Sequence, residues 1–138
     1  MKTYTFGTLM DGSEVNAYTL ESDHISVNIL NYGGILQKFL VNGTDIVCGY
    51  DSPVDYQNST GYQGAIIGRY ANRIRQGSFS LDGTVYQLAK NENSTTHLHG
   101  GTSGFDQKLW KAAPFSDNGC EGLSLFYISP DGEEGYPG

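Results

Sequence analysis

Three residues in this sequence combine side-chain types suited to chemistry with a setting that packing alone does not explain. His99 lies in His97-Leu98-His99-Gly100-Gly101, and Asn72-Arg73 closes the run GAIIGRYANR. An imidazole titrates near neutrality, so it can donate or accept a hydrogen bond at a reacting oxygen. The glycines after His99 tolerate positive φ, and a sharp turn there can push the preceding side chain out of a sheet. The Arg73 guanidinium is a rigid fork of donors, and the Asn72 amide both donates and accepts. Together they match neighbouring hydroxyls such as those of a sugar ring. Each residue also has a plainer reading: a turn histidine, a surface ion pair for Arg73, and a turn former at Asn72. Arg69 and Arg75 lie close by, as they would on a simple basic face.

Other groups offer less. His97 shares a face with His99 if the backbone is extended, so period two cannot choose between them; the adjacent glycines favour His99. His24 receives no role. Asp131, Glu133 and Glu134 read as a solvated acidic loop. Cys48 and Cys120 have no ligand spacing and read as two buried, reduced thiols. No GxGxxG after a strand, P-loop, HExxH or GxSxG occurs, so the common cofactor and nucleophile signatures are absent.

The elements that must position these residues are short strands. The pattern predicts strands at 3–9, 14–20, 24–30, 35–41, 45–49, 64–68, 79–81, 84–88, 108–115 and 123–129. Two-residue turns Asn42-Gly43, Asp82-Gly83 and Asn118-Gly119 join several of them. Ser52-Pro53 predicts the start of one short helix, with Ser52 as N-cap. Trp110 falls in a strand-like run and reads as core. Strands with turns every ten or so residues imply an all-β, antiparallel sandwich.

At 138 residues the chain is one ordinary domain in size. Its net charge of −7 argues against nucleic acid and anionic membrane as partners. No signal-peptide pattern or membrane-spanning run is present, so a cytoplasmic protein is expected.

The blocks GAIIGRYANRI, LDGTVYQL, LHGG and GFDQKLW, followed by SPDGEEGYPG, resemble in order and spacing the galactose mutarotase (aldose 1-epimerase) family. NYGGIL and DIVCGYDSPVDYQ fit the same pattern, so the likeness spans essentially the whole chain. The resemblance implies a galactose mutarotase-like β-sandwich with an open sugar-binding groove. It implies interconversion of the α and β anomers of aldohexoses such as galactose and glucose, without cofactor or metal. Asn72 and Arg73 match the family's sugar-binding Asn-Arg, and His99 matches its active-site histidine near the sugar ring oxygen. Family members are more than twice as long. Their principal acid, a second histidine, and their glutamate base lie beyond the segment matching GYPG.

The expectation is therefore that residues 1–138 are the N-terminal part of one epimerase domain. A C-terminal fragment completing that domain is an expected partner. A non-catalytic carbohydrate-binding sandwich is the competing reading. Without a positioned acid and base, the isolated chain should show little or no mutarotase activity in a polarimetric assay. Robust turnover by the isolated chain, lost in His99→Ala, would overturn that expectation.

Overall fold

A computed structural model describes residues 1–138. All eleven strands pair antiparallel, and the chain divides into two compact units. No helix is long and apolar enough to cross a membrane.

The first unit comprises residues 1–66 and 109–127. Strands β1 (Lys2–Thr8), β2 (Glu14–Glu21), β3 (Ile25–Leu30), β4 (Leu36–Val41) and β5 (Thr44–Asp45) form one sheet in chain order. Alternation along β2 sends Val15 and Ala17 to full burial, where they join Leu9, Leu30, Tyr32, Ile35 and Tyr56. The register slips at Phe6 in β1 and at Gln37 in β4. A bulge re-aims the extra side chain: Phe6 packs against the core, and Gln37 turns inward to 3% exposure.

That inward amide completes a polar network across four strands. The Asn28 amide nitrogen donates to the Tyr4 hydroxyl (2.9 Å) and to Gln37 Oε1 (2.8 Å), and Asn28 Oδ1 accepts from the Thr19 hydroxyl (3.1 Å). Gln37 then donates to the Tyr50 carbonyl (3.1 Å). A one-residue slip would leave these buried groups unpaired, so the network fixes register.

The short helix forms as predicted. α1 (Pro53–Asn58) has Ser52 as N-cap, its hydroxyl accepting the Asp55 N–H at 3.2 Å, and Pro53 in its first turn. A Cβ on Gly7 would come within 2.8 Å of the Pro53 ring, so β1 needs glycine where α1 approaches. Strands β10 (Lys111–Asp117) and β11 (Cys120–Phe126) form a separate hairpin.

The second unit comprises residues 67–108 and 128–138. β6 (Arg73–Arg75) pairs with β9 (Thr96–Leu98), and β7 (Ser78–Leu81) pairs with β8 (Thr84–Gln87).

All three two-residue turns are as expected, with positive φ at Asn42-Gly43, Asp82-Gly83 and Asn118-Gly119. Four expectations need correction. Residues 64–68 form no strand. Gly64 and Ile66 each bond to the 33–36 segment, but Gly33 and Gly34 there have positive φ and cannot continue a ladder. The strand expected at 45–49 stops at Asp45, whose carboxylate takes the Phe39 and Val47 N–H groups (3.1 and 3.3 Å). Cys48 and Cys120 are exposed: Cys48 lies outside any strand, and Cys120 is the first residue of β11, directly after the Asn118-Gly119 turn. Trp110 is only partly buried, against Tyr127 at 5.7 Å.

Replacing Asn28 by Ala would leave the Gln37 and Thr19 side chains without that partner inside the sheet. Urea unfolding should show a loss of about 2 kcal/mol. An unchanged midpoint would mean the network contributes nothing to stability.

Candidate functional site

The β6–β9 ladder is three residues long, and its last rung is unusual. Arg73 faces Leu98 and Ile74 faces His97 across the pair. One step further, the His99 N–H donates to the Asn72 carbonyl at 3.0 Å. The Asn72 N–H does not return to a carbonyl; it donates to His99 Nδ1 at 2.9 Å. Both residues have positive φ, 68° at Asn72 and 51° at His99. Asn tolerates this region well; His visits it less often, and such positions cluster at functional sites.

The backbone stays in that region through Gly100 (88°) and Gly101 (108°). A Cβ on Gly100 would stand 1.7 Å from the Gly68 carbonyl oxygen, and one on Gly101 would stand 2.1 Å from Glu134 Oε2. Glycine is required at Gly100 for close approach to that backbone oxygen as well as for φ, and at Gly101 for φ. This turn takes His99 off the extended path, so the two histidines part company. His97 is fully buried. Its Nδ1 donates to the Ala89 carbonyl (2.8 Å), so its Nε2 accepts the Tyr136 hydroxyl (2.6 Å). His97 is therefore a core residue. His99 is partly exposed, and its Nδ1 is an acceptor. The neutral ring then carries its proton on Nε2, which makes that nitrogen a donor.

Arg73 is held flat by Glu92. Nε donates to Glu92 Oε2 at 2.7 Å and Nη2 donates to Oε1 at 2.6 Å, while Nη1 donates to Asn72 Oδ1 at 3.1 Å. Three of the five N–H groups are thus engaged, and the guanidinium is more than half exposed. The structure therefore brings Asn72, Arg73 and His99 into one hydrogen-bonded group. The plainer readings are met as well, since Arg73 does form an ion pair and Asn72 does occupy a turn. An open cleft of about 570 Å³ beside β6 is lined by Arg73, Arg75, Tyr70, Phe79 and Tyr136, among others.

Several residues that sequence reasoning passed over build this group. Asn91 imitates a strand partner: its Oδ1 accepts the Leu98 N–H (2.8 Å), and its Nδ2 donates to the Leu98 and Gly101 carbonyls (2.9 and 3.0 Å). Glu92 orients Arg73. Their only sequence signal is a polar KNENS run before β9. Arg69 proves structural, with its guanidinium tied to Ser129 and to the Pro130 and Pro137 carbonyls.

The acidic cluster near Gly138 is not a solvated loop. Asp131 is exposed, but Glu133 accepts the Ser129 hydroxyl and pairs with Lys108 at 3.0 Å. Glu134 accepts the Thr102 and Ser103 N–H groups at 2.8 and 3.0 Å. A turn with positive φ at Gly132, Glu134 and Gly135 folds these side chains back onto the unit.

Burial, reinforced by the Glu134 charge, pushes the Tyr136 phenol up to about 12. Burial also raises the Asp106 carboxyl, whose Oδ1 is enclosed without a hydrogen-bond partner. No group of three or more His, Cys, Asp or Glu side chains is placed to hold a metal ion.

The Arg73 hydrogen bonds, and then its charge, hold the Glu92 carboxyl below the ordinary 4.5. A carboxyl depressed by folding contributes stability above its unfolded value. It loses that contribution as pH falls through the lower folded value. In Arg73→Ala, NMR titration of the Glu92 side chain should return its midpoint toward 4.5. A midpoint that stays depressed would show that Arg73 is not the dominant partner.

The sequence matches the aldose 1-epimerase family over residues 16–138. It is 41% identical to galactose mutarotase of Bos taurus across 96% of this chain and 39% of that protein. Among solved structures, galactose 1-epimerase from Lactobacillus acidophilus NCFM superposes with a TM-score of 0.86 at 32% identity, covering 99% of this chain and 41% of the other. An aldose epimerase homologue from C. elegans gives 0.76 at 25% identity, covering 88% and 39%. The chain thus spans about two-fifths of the length of the relatives it matches. Its antiparallel strands follow the galactose mutarotase-like β-sandwich. By fold and by sequence, the chain belongs to the aldose 1-epimerase family.

Proposed function

We propose that residues 72–99 present one wall of an aldose-binding site, and that the whole protein interconverts the α and β anomers of aldohexoses such as galactose and glucose. The observation that carries this reading is the hydrogen-bonded group of Asn72, Arg73 and His99 at the end of β6 and β9. It lies inside the segment matched to the family.

In the reaction a base takes the proton of the anomeric hydroxyl while an acid protonates the ring oxygen. The C1–O5 bond breaks to give the open-chain aldehyde. Rotation about C1–C2 and reclosure, with the protons returned, yield either anomer. This is paired general acid–base catalysis. His99 suits one part of it. With Nδ1 occupied by the Asn72 N–H, its Nε2–H is a donor, and a donor near the ring oxygen supports charge developing there as the bond opens. The N–H groups of Arg73 not engaged by Glu92 and Asn72 suit the acceptor pairs of neighbouring sugar hydroxyls. Asn72 Oδ1 and Glu92 keep that fork in a fixed plane, which lowers the ordering cost of binding. On this reading the remaining acid and base come from further polypeptide, corresponding to the rest of the relatives' length.

Galactose titrated into the chain should move the NMR signals of Asn72, Arg73 and His99 before any others. Arg73→Ala should weaken binding by about tenfold, the loss of one charged hydrogen-bonding contact. Arg73→Lys should not restore it, because an ammonium cannot reproduce the planar fork. No sugar-dependent shift at these residues would sink the reading. Shifts without turnover, even after the C-terminal polypeptide is supplied, would favour a non-catalytic sugar-binding sandwich.

A further inference from the structure

The segment that ends in Gly138 does more than cover the second unit. Its Glu134 carboxylate reaches back to the loop that follows His99. One oxygen, Oε2, accepts the Thr102 N–H at 2.8 Å, and the other, Oε1, accepts the Ser103 N–H at 3.0 Å. Two consecutive amides on one carboxylate form a bidentate match that a neutral side chain cannot copy, since only a carboxylate offers two acceptor oxygens side by side.

The contact is built from both sides. Glu134 itself has φ 52°, a conformation that its flanking turn enforces through Gly132 (83°) and Gly135 (89°). Opposite it, Gly101 lies so close that a Cβ would stand 2.1 Å from Oε2. Two residues on, the Tyr136 hydroxyl is bonded to His97 Nε2, so the same segment also grips β9 itself. Between Leu98 and Ser103 the other anchors include the Gly101 N–H on the Leu98 carbonyl (3.1 Å), the Asn91 amide on the Gly101 carbonyl (3.0 Å), the Gln107 amide on the Thr102 carbonyl (3.0 Å) and the Lys108 ammonium on the Ser103 hydroxyl (3.1 Å). None of these takes the Thr102 or Ser103 N–H, which Glu134 holds.

We infer that Glu134 is a positioning residue for His99: it fixes the loop after the histidine, and through it the ring geometry that leaves Nδ1 on the Asn72 N–H and Nε2–H as donor. The link runs through three peptide units. With those two N–H groups released, the turn at Gly100-Gly101 keeps only the Gln107 and Lys108 side-chain contacts downstream. The φ of 51° at His99 is then held less firmly from its downstream end. The inference rests on the reading of His99 as a sugar-contacting donor, but its test does not depend on sugar.

The experiment compares the 138-residue chain with Glu134→Ala and Glu134→Gln by NMR. Ring nitrogen shifts of His99 report which nitrogen carries the proton, a readout that a general loss of stability would not move selectively. In the parent chain they should show a neutral ring protonated at Nε2. In Glu134→Ala they should shift toward a mixture of tautomers, with Thr102 and Ser103 amide exchange faster by about tenfold or more. The His97 ring signals should stay in place. Glu134→Gln, with one acceptor oxygen instead of two, should fall between, and it carries the comparison if the alanine variant does not fold. His99 signals that stay unchanged once the two amides are freed would overturn the inference, and so would amides that are never freed. A galactose titration of the same samples separates the two readings. If the parent chain binds, Glu134→Ala should bind about tenfold more weakly. If the parent does not bind, the sugar-binding reading fails, while the ring signals still decide the role of Glu134.

Discussion

The backbone amide of Asn72 ends on an imidazole nitrogen where an antiparallel ladder would place a carbonyl oxygen. The arrangement of the candidate site depends on that substitution. A carbonyl is always an acceptor, whereas an imidazole nitrogen accepts only while it is unprotonated. The bond therefore selects one tautomer of His99 and directs its single N–H away from the ladder. His97, two residues earlier, is fixed the opposite way, with its proton on Nδ1 against the Ala89 carbonyl. Two histidines on one short segment thus hold opposite tautomers. One is spent on the core and the other is turned toward the surface. The difference arises from backbone geometry, since the turn begins at His99 and not before it.

Glycine makes the geometry possible, but glycine does not hold it. Gly100 and Gly101 permit positive φ and close approach to Gly68 and Glu134. Side chains then impose the conformation that the glycines merely allow. Asn91 satisfies Leu98 and Gly101 as a third strand would, and Glu134 satisfies Thr102 and Ser103. A loop of this kind has few apolar contacts to hold it, so fixed polar acceptors take over the role that packing has elsewhere. The first unit uses the same device for another end. There the Asn28–Gln37 network sets the register of a sheet whose hydrophobic alternation alone leaves Gln37 unaccounted for.

What could be read from the sequence follows from the range of the forces involved. The turns Asn42-Gly43, Asp82-Gly83 and Asn118-Gly119 were legible because the φ requirement sits in the two residues themselves. Ser52 and Pro53 announced α1 for the same reason. Residues 64–68 misled, because an apolar run becomes a strand only if its neighbour is regular, and its neighbour contains Gly33-Gly34. The adjacent glycines signalled that His99 leaves the extended path while His97 stays buried, although alternation placed both on one face. Glu133 and Glu134 were misread because their partners lie about 30 residues away and no local pattern names them. The family likeness reached Asn72, Arg73 and His99 through contiguous motifs. It gave no role to Asn91, Glu92 or Glu134, whose contribution is to hold other residues in place, although the block SPDGEEGYPG contains Glu134.

For Arg73 the plain reading and the functional one are successive layers of one arrangement. An exposed arginine with a single-point contact would sample many rotamers, and ordering it on a ligand would cost entropy. The two-point bond to Glu92 and the third bond to Asn72 remove that freedom beforehand. An exposed ion pair contributes little to folding stability, so stability alone is a weak reason for so complete a clamp. Preorganisation of the unengaged edge of the guanidinium is a stronger one. The same reasoning extends to the electrostatics. The chain carries a net charge of −7, yet the carboxylate nearest this arginine is the one that fixes its plane. Glu92 offsets the positive charge without covering the outer N–H groups. That suits an uncharged, hydroxyl-rich ligand better than an anion, because the paired guanidinium keeps its hydrogen-bond donors while losing most of its net charge.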